Sequence, residues 1–347
     1  IDDTAYSVPK YHFNYKAACC FASRYYLFMQ DWDNAIKYAT MALTSNPSSL
    51  LRDYSAIAAL PNGTSRHQEY VNSASTANFL LQAATSNSGL LFDWYSTAGR
   101  YSHGKLQGIY ETVQPKKGGP WGSSVTFKAP HAVLASSGKY VLPRTWRVFQ
   151  YTDPVAGTGF NKAISVLFTS EEALLNRAEA YIMKMNEDPT ALDKALEDIN
   201  LYAANLFSAG FKSMTEASII KWATETYPDY SELYVGKTSV SSPQTLNPKK
   251  KLHAAPYNTL EEGGPQESML QALIFMRRYQ FLHEGMRWFD TRRFGITVYR
   301  YLLDEDAETV VQITDQISDE NGTADPRRAL QLPADVIAAG LTPNPRK

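Results

Sequence analysis

The chain is short of cysteine, of net charge and of long apolar runs, and each shortage removes a class of protein. Its only two cysteines, Cys19 and Cys20, are neighbours. Adjacent residues on a helix point about 100° apart, so no ordinary disulfide joins them and two buried free thiols are expected. The six histidines, His12, His67, His103, His131, His253 and His283, show no paired spacing, so no metal site and no cofactor is expected. A formal net charge of −1 offers no basic face in the totals and argues against a nucleic-acid partner. No apolar run approaches the roughly 18 residues that a membrane-spanning helix requires. The chain opens at Ile1 without a Met, a signal peptide or an acylated Cys, and is expected to be a processed or truncated product.

Catalytic motifs are missing as well. There is no nucleophile elbow and no Walker loop. His283-Glu284 is followed by Gly285-Met286-Arg287, without the second His of a zinc-protease helix. Glu261 and Glu262 are adjacent in a turn, whereas a glycosidase needs two acids facing each other across a cleft. Asp304-Glu305-Asp306 lacks the alternating oxygen ligands of a calcium loop. The expectation is a protein that is not an enzyme.

What is present is ordinary globular material with an excess of rings. The 347 residues are 44% hydrophobic and 20% charged, enough to bury a core. The 22 Tyr, 15 Phe and 6 Trp suit wet recognition surfaces as well as cores.

The clearest periodicity lies at 11–47. Cys19, Ala22, Ser23, Tyr26, Ala35, Ala39, Ala42 and Pro47 occupy the small and aromatic positions of a tetratricopeptide repeat. Asp31 is placed to cap the second helix and Pro47 to stop it. A second copy falls at 170–207, with Leu174, Ala178, Tyr181, Ala195 and Ile199 in the matching places and a longer turn at Asn186–Pro189. Two copies so far apart imply repeat units brought together across a large insertion. A third helical pair is expected over 265–295, where Ala272, Phe275, Met276, Tyr279, Leu282, Met286 and Phe289 form one stripe. There Glu284 and Arg287, and Asp290 and Arg293, are three apart and set to pair, and Gly285 marks a turn or a close backbone approach.

Between the repeats the character changes. Tyr70–Thr85 reads as helical through Ala74, Ala77, Leu81 and Ala84, against a content of Ser, Thr and Asn that weakens it. The region 92–162 is loop-rich and studded with rings, with short alternating runs at Ser123–Lys128 and Trp146–Tyr151 that could form small strands. A short helix is expected near 215–226. Thr309–Thr314 and Arg328–Leu332 read as two strands joined by the turn-rich Ser318–Gly322.

Three stretches together resemble one family. Glu284-Gly285-Met286-Arg287-Trp288-Phe289-Asp290-Thr291-Arg292-Arg293-Phe294-Gly295 resembles the "EG-x-RWFDLRR-x-G" signature of the SusD/RagB family, with Thr291 where Leu is common. Glu172-Ala173-Leu174-Leu175-Asn176-Arg177-Ala178-Glu179-Ala180-Tyr181 is similar to its "LLRAEAY" repeat helix. Leu332-Pro333-Ala334-Asp335-Val336-Ile337 with Asn344-Pro345 is similar to its closing "LP-x-x-E-I…NP". The resemblance implies a mainly α fold, 1–347 as one SusD-like domain, in which tetratricopeptide-like hairpins form a scaffold for a large irregular region and a few short strands. It further implies a lipid-anchored protein of the outer membrane's outer face, sitting on a SusC-like TonB-dependent transporter and binding glycan nutrients, or in some members peptides. The family's N-terminal anchor and the segment that follows it are not visible in this chain, and part of the ligand site in relatives comes from that segment.

Sugars present apolar C–H faces ringed by hydroxyls, so a glycan binder needs an exposed ring to stack on and polar groups at its rim. Asp93-Trp94-Tyr95, Arg100-Tyr101, Trp121 and Trp146 offer that chemistry in the 92–162 region and are the candidate ligand residues. The alternative is a repeat scaffold that binds a peptide or protein through its helical face.

Overall fold

The computed structural model describes residues 2–88, 119–122, 124–128, 133–134, 140–141, 146–226, 235–236, 251–304, 310–319 and 324–346. Asn14 opens the first hairpin. Its side chain accepts from the Ala17 N–H and donates to the Phe79 carbonyl at 2.6 Å. One residue thus caps helix α1 (Tyr15–Phe28) and ties it to strand β1 (Asn78–Thr85). Asp31 caps α2 (Trp32–Leu43) by accepting from the Asn34 N–H, as its position predicts. Between the two helices, small residues permit close approach: Ala17, Cys20, Ala35, Ala39 and Ala42 are fully buried. Tyr26 fills the remaining gap, stacked on Tyr38 at 5.4 Å. Both cysteines are free and buried, as expected.

Pro47 does not stop α2. Thr44, at φ 61°, ends it at Leu43, and Pro47 instead starts a short 3-10 turn, Pro47–Leu50. The early stop brings Leu50, Leu51 and Arg52 into the interior. Two short helices follow, α3 (Tyr54–Ala59) capped by Asp53 and α4 (Gly63–Tyr70) capped by Asn62.

The second hairpin is α5 (Ser170–Lys184) and α6 (Ala191–Leu206), with Leu174, Ala178, Ala195 and Ile199 fully buried as the spacing predicts. It packs on the first: α2 lies against α5. After α7 (Glu216–Lys221) and its continuing turn Trp222–Thr226 come α8 (Pro265–Gln280) and α9 (Met286–Phe294), the third helical pair. The stripe from Ala272 to Met286 is buried, but Phe289 is 45% exposed. A single continuous helix would have buried it; Gly285, at φ 78°, turns the chain and resets the helical phase.

Tyr70–Thr85 is not helical. Its second half is β1, the outer strand of the antiparallel sheet β1-β6-β5. Its partner is β6 (Thr158–Thr169), far away in sequence and flanked on its other side by β5 (Trp146–Asp153), so ladder hydrogen bonds decide a segment that its alanines leave ambiguous. The short pairs are β2 (Thr126–Phe127) with β7 (Phe207–Ala209) and β3 (Val133–Leu134) with β4 (Tyr140–Val141). The strand expected at Arg328–Leu332 is absent. Strand β9 (Val310–Ile317) pairs instead with β8 (Val298–Leu303), because Arg328 is drawn inward to the Thr291 and Ile296 carbonyls at 3.2 and 2.7 Å. The final short helix is α10 (Ala334–Ala338). The molecule is mainly helical, with small sheets packed against a scaffold of hairpins.

Helix α5 is the hub. Glu171, Glu172, Asn176 and Glu179 are all at most 1% exposed, and each reaches a different neighbour. Glu171 accepts from the Arg52 N–H at 3.0 Å, and Arg52 also donates to the Tyr70 carbonyl and to Asn78. Glu172 takes both arms of Arg24 from α1, at 2.6 and 2.7 Å. Asn176 accepts from Arg277 of α8 at 2.8 Å and donates to Ser23 of α1. Glu179 pairs with Arg293 of α9 and accepts from the Tyr257 hydroxyl at 3.2 Å. Asp290 closes the set between Arg277, at 2.9 Å, and Arg293, at 3.6 Å. Charges buried this deeply persist only when paired and hydrogen-bonded, and here they are.

Candidate functional site

The charged residues at the heart of two of the motifs that carry the family resemblance are buried in the scaffold, whereas Phe289 is 45% exposed and much of the closing 332–337 stretch faces solvent. Glu179 of one motif meets Arg293 of the other inside the protein, Asn176 joins Asp290 through their shared partner Arg277, and Glu172 takes Arg24 of α1. Burial drives the pKa of Asp290 up, but the charges of Arg277 and Arg293 outweigh it and hold the carboxyl below its ordinary 3.8. Burial pushes the Tyr257 phenol and the Cys20 thiol upward, so neither is an available nucleophile. Among the described residues, no group of three or more His, Cys, Asp or Glu side chains is placed to hold a metal ion. No described helix is long and apolar enough to cross a membrane.

Of the seven candidate ligand residues, Asp93, Trp94, Tyr95, Arg100 and Tyr101 lie outside the described residues. Trp121 requires correction. It is 3% exposed, with its ring 5.0 Å from Phe207, 5.4 Å from Phe275 and 6.0 Å from Tyr279. The loop folds onto the indole so closely that a Cβ on Gly119 would stand 2.5 Å from it. A Trp beside Gly and Pro looks like an exposed loop residue in sequence, yet the hairpins leave an aromatic-lined recess that buries this one. Trp121 is core, not a stacking platform.

Trp146 begins β5, opposite Ile164 of β6. The region around it is less irregular than its sequence suggests, since β5 and the first part of β6 form a regular hairpin. Strand β1 accompanies β6 only as far as Lys162, so Phe149–Asn161 and the residues beyond them form a two-stranded arm. Its rings face solvent: Phe149 is 36%, Tyr151 57% and Phe160 55% exposed. Phe149 and Tyr151 are edge to face at 4.8 Å. Gly159 lies opposite Tyr151 and Asn161 opposite Phe149, which sets an amide beside the rings. Asn161 in turn donates to Asn87 at 3.2 Å. The sequence reading did not single out Phe149, Tyr151 or Phe160, although the alternation Arg147-Phe149-Tyr151 within a predicted strand was the signal for two of them.

A second aromatic surface runs along α1. Tyr15, Phe21, Tyr25 and Phe28 are each 40–49% exposed, and Met29 is 59% exposed. These positions fall outside the buried stripe of Ala17, Cys20, Ser23 and Leu27, so the helix is apolar on two sides.

No protein-family profile and no curated protein sequence matches the chain. Solved structures similar to it include a SusD-like protein from Bacteroides fragilis, at 15% identity and TM-score 0.43 over 95% of this chain and 64% of that one. A SusD-like carbohydrate binding protein from Bacteroides vulgatus is similar at 17% identity and TM-score 0.45 over 91% of this chain and 54% of that one. A SusD superfamily protein from Bacteroides thetaiotaomicron is similar at 15% identity and TM-score 0.46, over 96% and 61% of the respective chains. The chain therefore spans about half to two thirds of the length of these structures. With TM-scores below 0.5, they carry no functional argument.

Proposed function

We infer that this protein binds oligosaccharides or polysaccharides at the surface of a cell and presents them to a SusC-like TonB-dependent transporter in the outer membrane. The observation that carries the glycan reading is the Phe149–Tyr151 ring pair, exposed on a projecting hairpin beside Asn161. Exposed rings cost solvation unless something covers them, and a sugar's apolar face covers a ring while its hydroxyls use the adjoining amide. The sequence motifs of the buried scaffold support the transporter partner and the lipid anchor through resemblance alone. Capture without turnover is the role proposed, since the site offers rings and amides in place of a pair of facing acids.

A second reading, a repeat scaffold that docks a protein or peptide, is favoured by the aromatic row on α1. One experiment separates the two. The protein is applied to an array of glycans and peptides, together with its Tyr151→Ala and Phe149→Ala variants. Retention on glycans that falls at least tenfold in both variants, with an unchanged melting temperature, supports the glycan site. Retention on peptides alone overturns it.

A further inference from the structure

A cavity of about 470 Å³ opens on the side of the molecule where α4 meets the sheet. Its walls come from several segments of the chain. Tyr11, on the short 3-10 turn Pro9–Tyr11, stands at its edge; Leu60, Ser65, Gln68 and Glu69 belong to the end of α3 and to α4; Val71, Asn72 and Ser73 follow α4. Ile164 of β6 supplies the remaining wall, and it is the register partner of Trp146 on β5. The volume lies within the roughly 300–1,000 Å³ of small-molecule sites.

The lining has a definite chemistry. Tyr11, Leu60, Val71 and Ile164 give an apolar patch with one half-exposed ring, while Ser65, Gln68, Glu69, Asn72 and Ser73 supply hydroxyl, amide and carboxylate groups. Among the described residues no Lys or Arg lines the cavity, which disfavours phosphate and carboxylate ligands. Part of the polar rim is already ordered. The Asn72 amide donates to Glu69 at 3.1 Å, and its oxygen accepts from the Ala74 N–H at 2.8 Å. Glu69 then has a second carboxylate oxygen to accept from a ligand hydroxyl, and Asn72 has a second N–H to donate.

We propose that this cavity is a saccharide subsite, separate from the β5–β6 ring pair, which holds one neutral sugar unit stacked on Tyr11 with its hydroxyls on Gln68, Glu69 and Asn72. The proposal rests on the glycan-binding reading. It adds a second point of contact, on the face of the sheet opposite the ring pair. Two subsites on one chain raise the retention of a long glycan by effective concentration, without either binding tightly.

The test is titration of the whole chain with D-glucose, D-galactose, D-mannose and N-acetyl-D-glucosamine, followed by the methyl NMR signals of Ile164 and Val71. Saturable shifts with at least one sugar, weakened about tenfold by Tyr11→Ala or Gln68→Ala, are expected. Both residues are exposed, so neither substitution threatens the fold. Silence with all four sugars, or titrations indifferent to both substitutions, overturns the subsite. An array positive for glycans alongside such silence leaves the glycan reading standing. An array blank for glycans alongside saturable shifts overturns that reading and upholds the cavity.

Discussion

At Trp121 the indole contacts Phe207, Phe275 and Tyr279 within 6.0 Å, and a smaller side chain would leave a void that these rings cannot close. Large-to-small changes at such positions cost about 3–5 kcal/mol. Trp121→Ala is therefore expected to lower the melting temperature clearly, while the protein that remains folded keeps its glycan retention. Loss of glycan binding at full stability would return Trp121 to the ligand site. Tyr151 shows the opposite logic: at 57% exposure its removal changes stability by within about 0.5 kcal/mol, so any effect on binding reports on the ligand. The same residue type in the same kind of sequence can thus serve core or surface, and the difference lies in which elements stand over it. Nothing in Gly119-Pro120-Trp121-Gly122 announces Phe207 or Phe275, which approach from β7 and α8.

Among the elements, the α8–α9 turn was the most legible from sequence, because Gly285 interrupts an otherwise consistent helical stripe. Two glycines bound α9, and they are held for different reasons. Gly285 has φ 78° with nothing within 4 Å of where a Cβ would be. Gly295 has φ 68°, and its Cβ would stand 2.6 Å from the Ala254 nitrogen. Gly285→Ala is expected to cost about 1–2 kcal/mol, the penalty of left-handed backbone alone. Gly295→Ala adds a clash with backbone and should lower the denaturation midpoint further. Equal midpoints would show that the Ala254 segment yields freely. Strand β1 was the least legible element. Its alanines match helical spacing, and only pairing with β6, some 80 residues on, makes it a strand.

Across the whole molecule, α5 joins α1, α8 and α9 through buried charge. Arg24 from α1, Arg277 from α8 and Arg293 from α9 converge on carboxylates or amides of one helix turn after turn, and Asp290 of α9 bridges Arg277 and Arg293. Removing one member strands its partner: Arg293→Ala leaves Glu179 without its main counter-charge and should cost about 3–5 kcal/mol. Acid dissolves the same set. The folded-state pKa of Asp290 lies below 3.8, so its stabilising share is complete above 3.8 and is lost as the pH falls through the depressed value. Denaturation midpoints measured near neutrality and below pH 3.8 should diverge strongly for the wild type. They should diverge less for Asp290→Asn, which has no proton to take up there; an identical acid response in both would remove Asp290 from this role.

Local sequence encodes the repeat helices, the cap at Asp31, and the buried small-residue faces that pair them. These depend on neighbours within one or two turns, and side-chain periodicity records them directly. It also held both charged motifs, though as separate strings more than 100 residues apart. Tertiary packing alone makes them one network, covers Trp121 while leaving Phe149, Tyr151 and Tyr11 exposed, and pairs β9 with β8. Burial and strand pairing depend on which distant segment arrives, and no local pattern encodes that arrival.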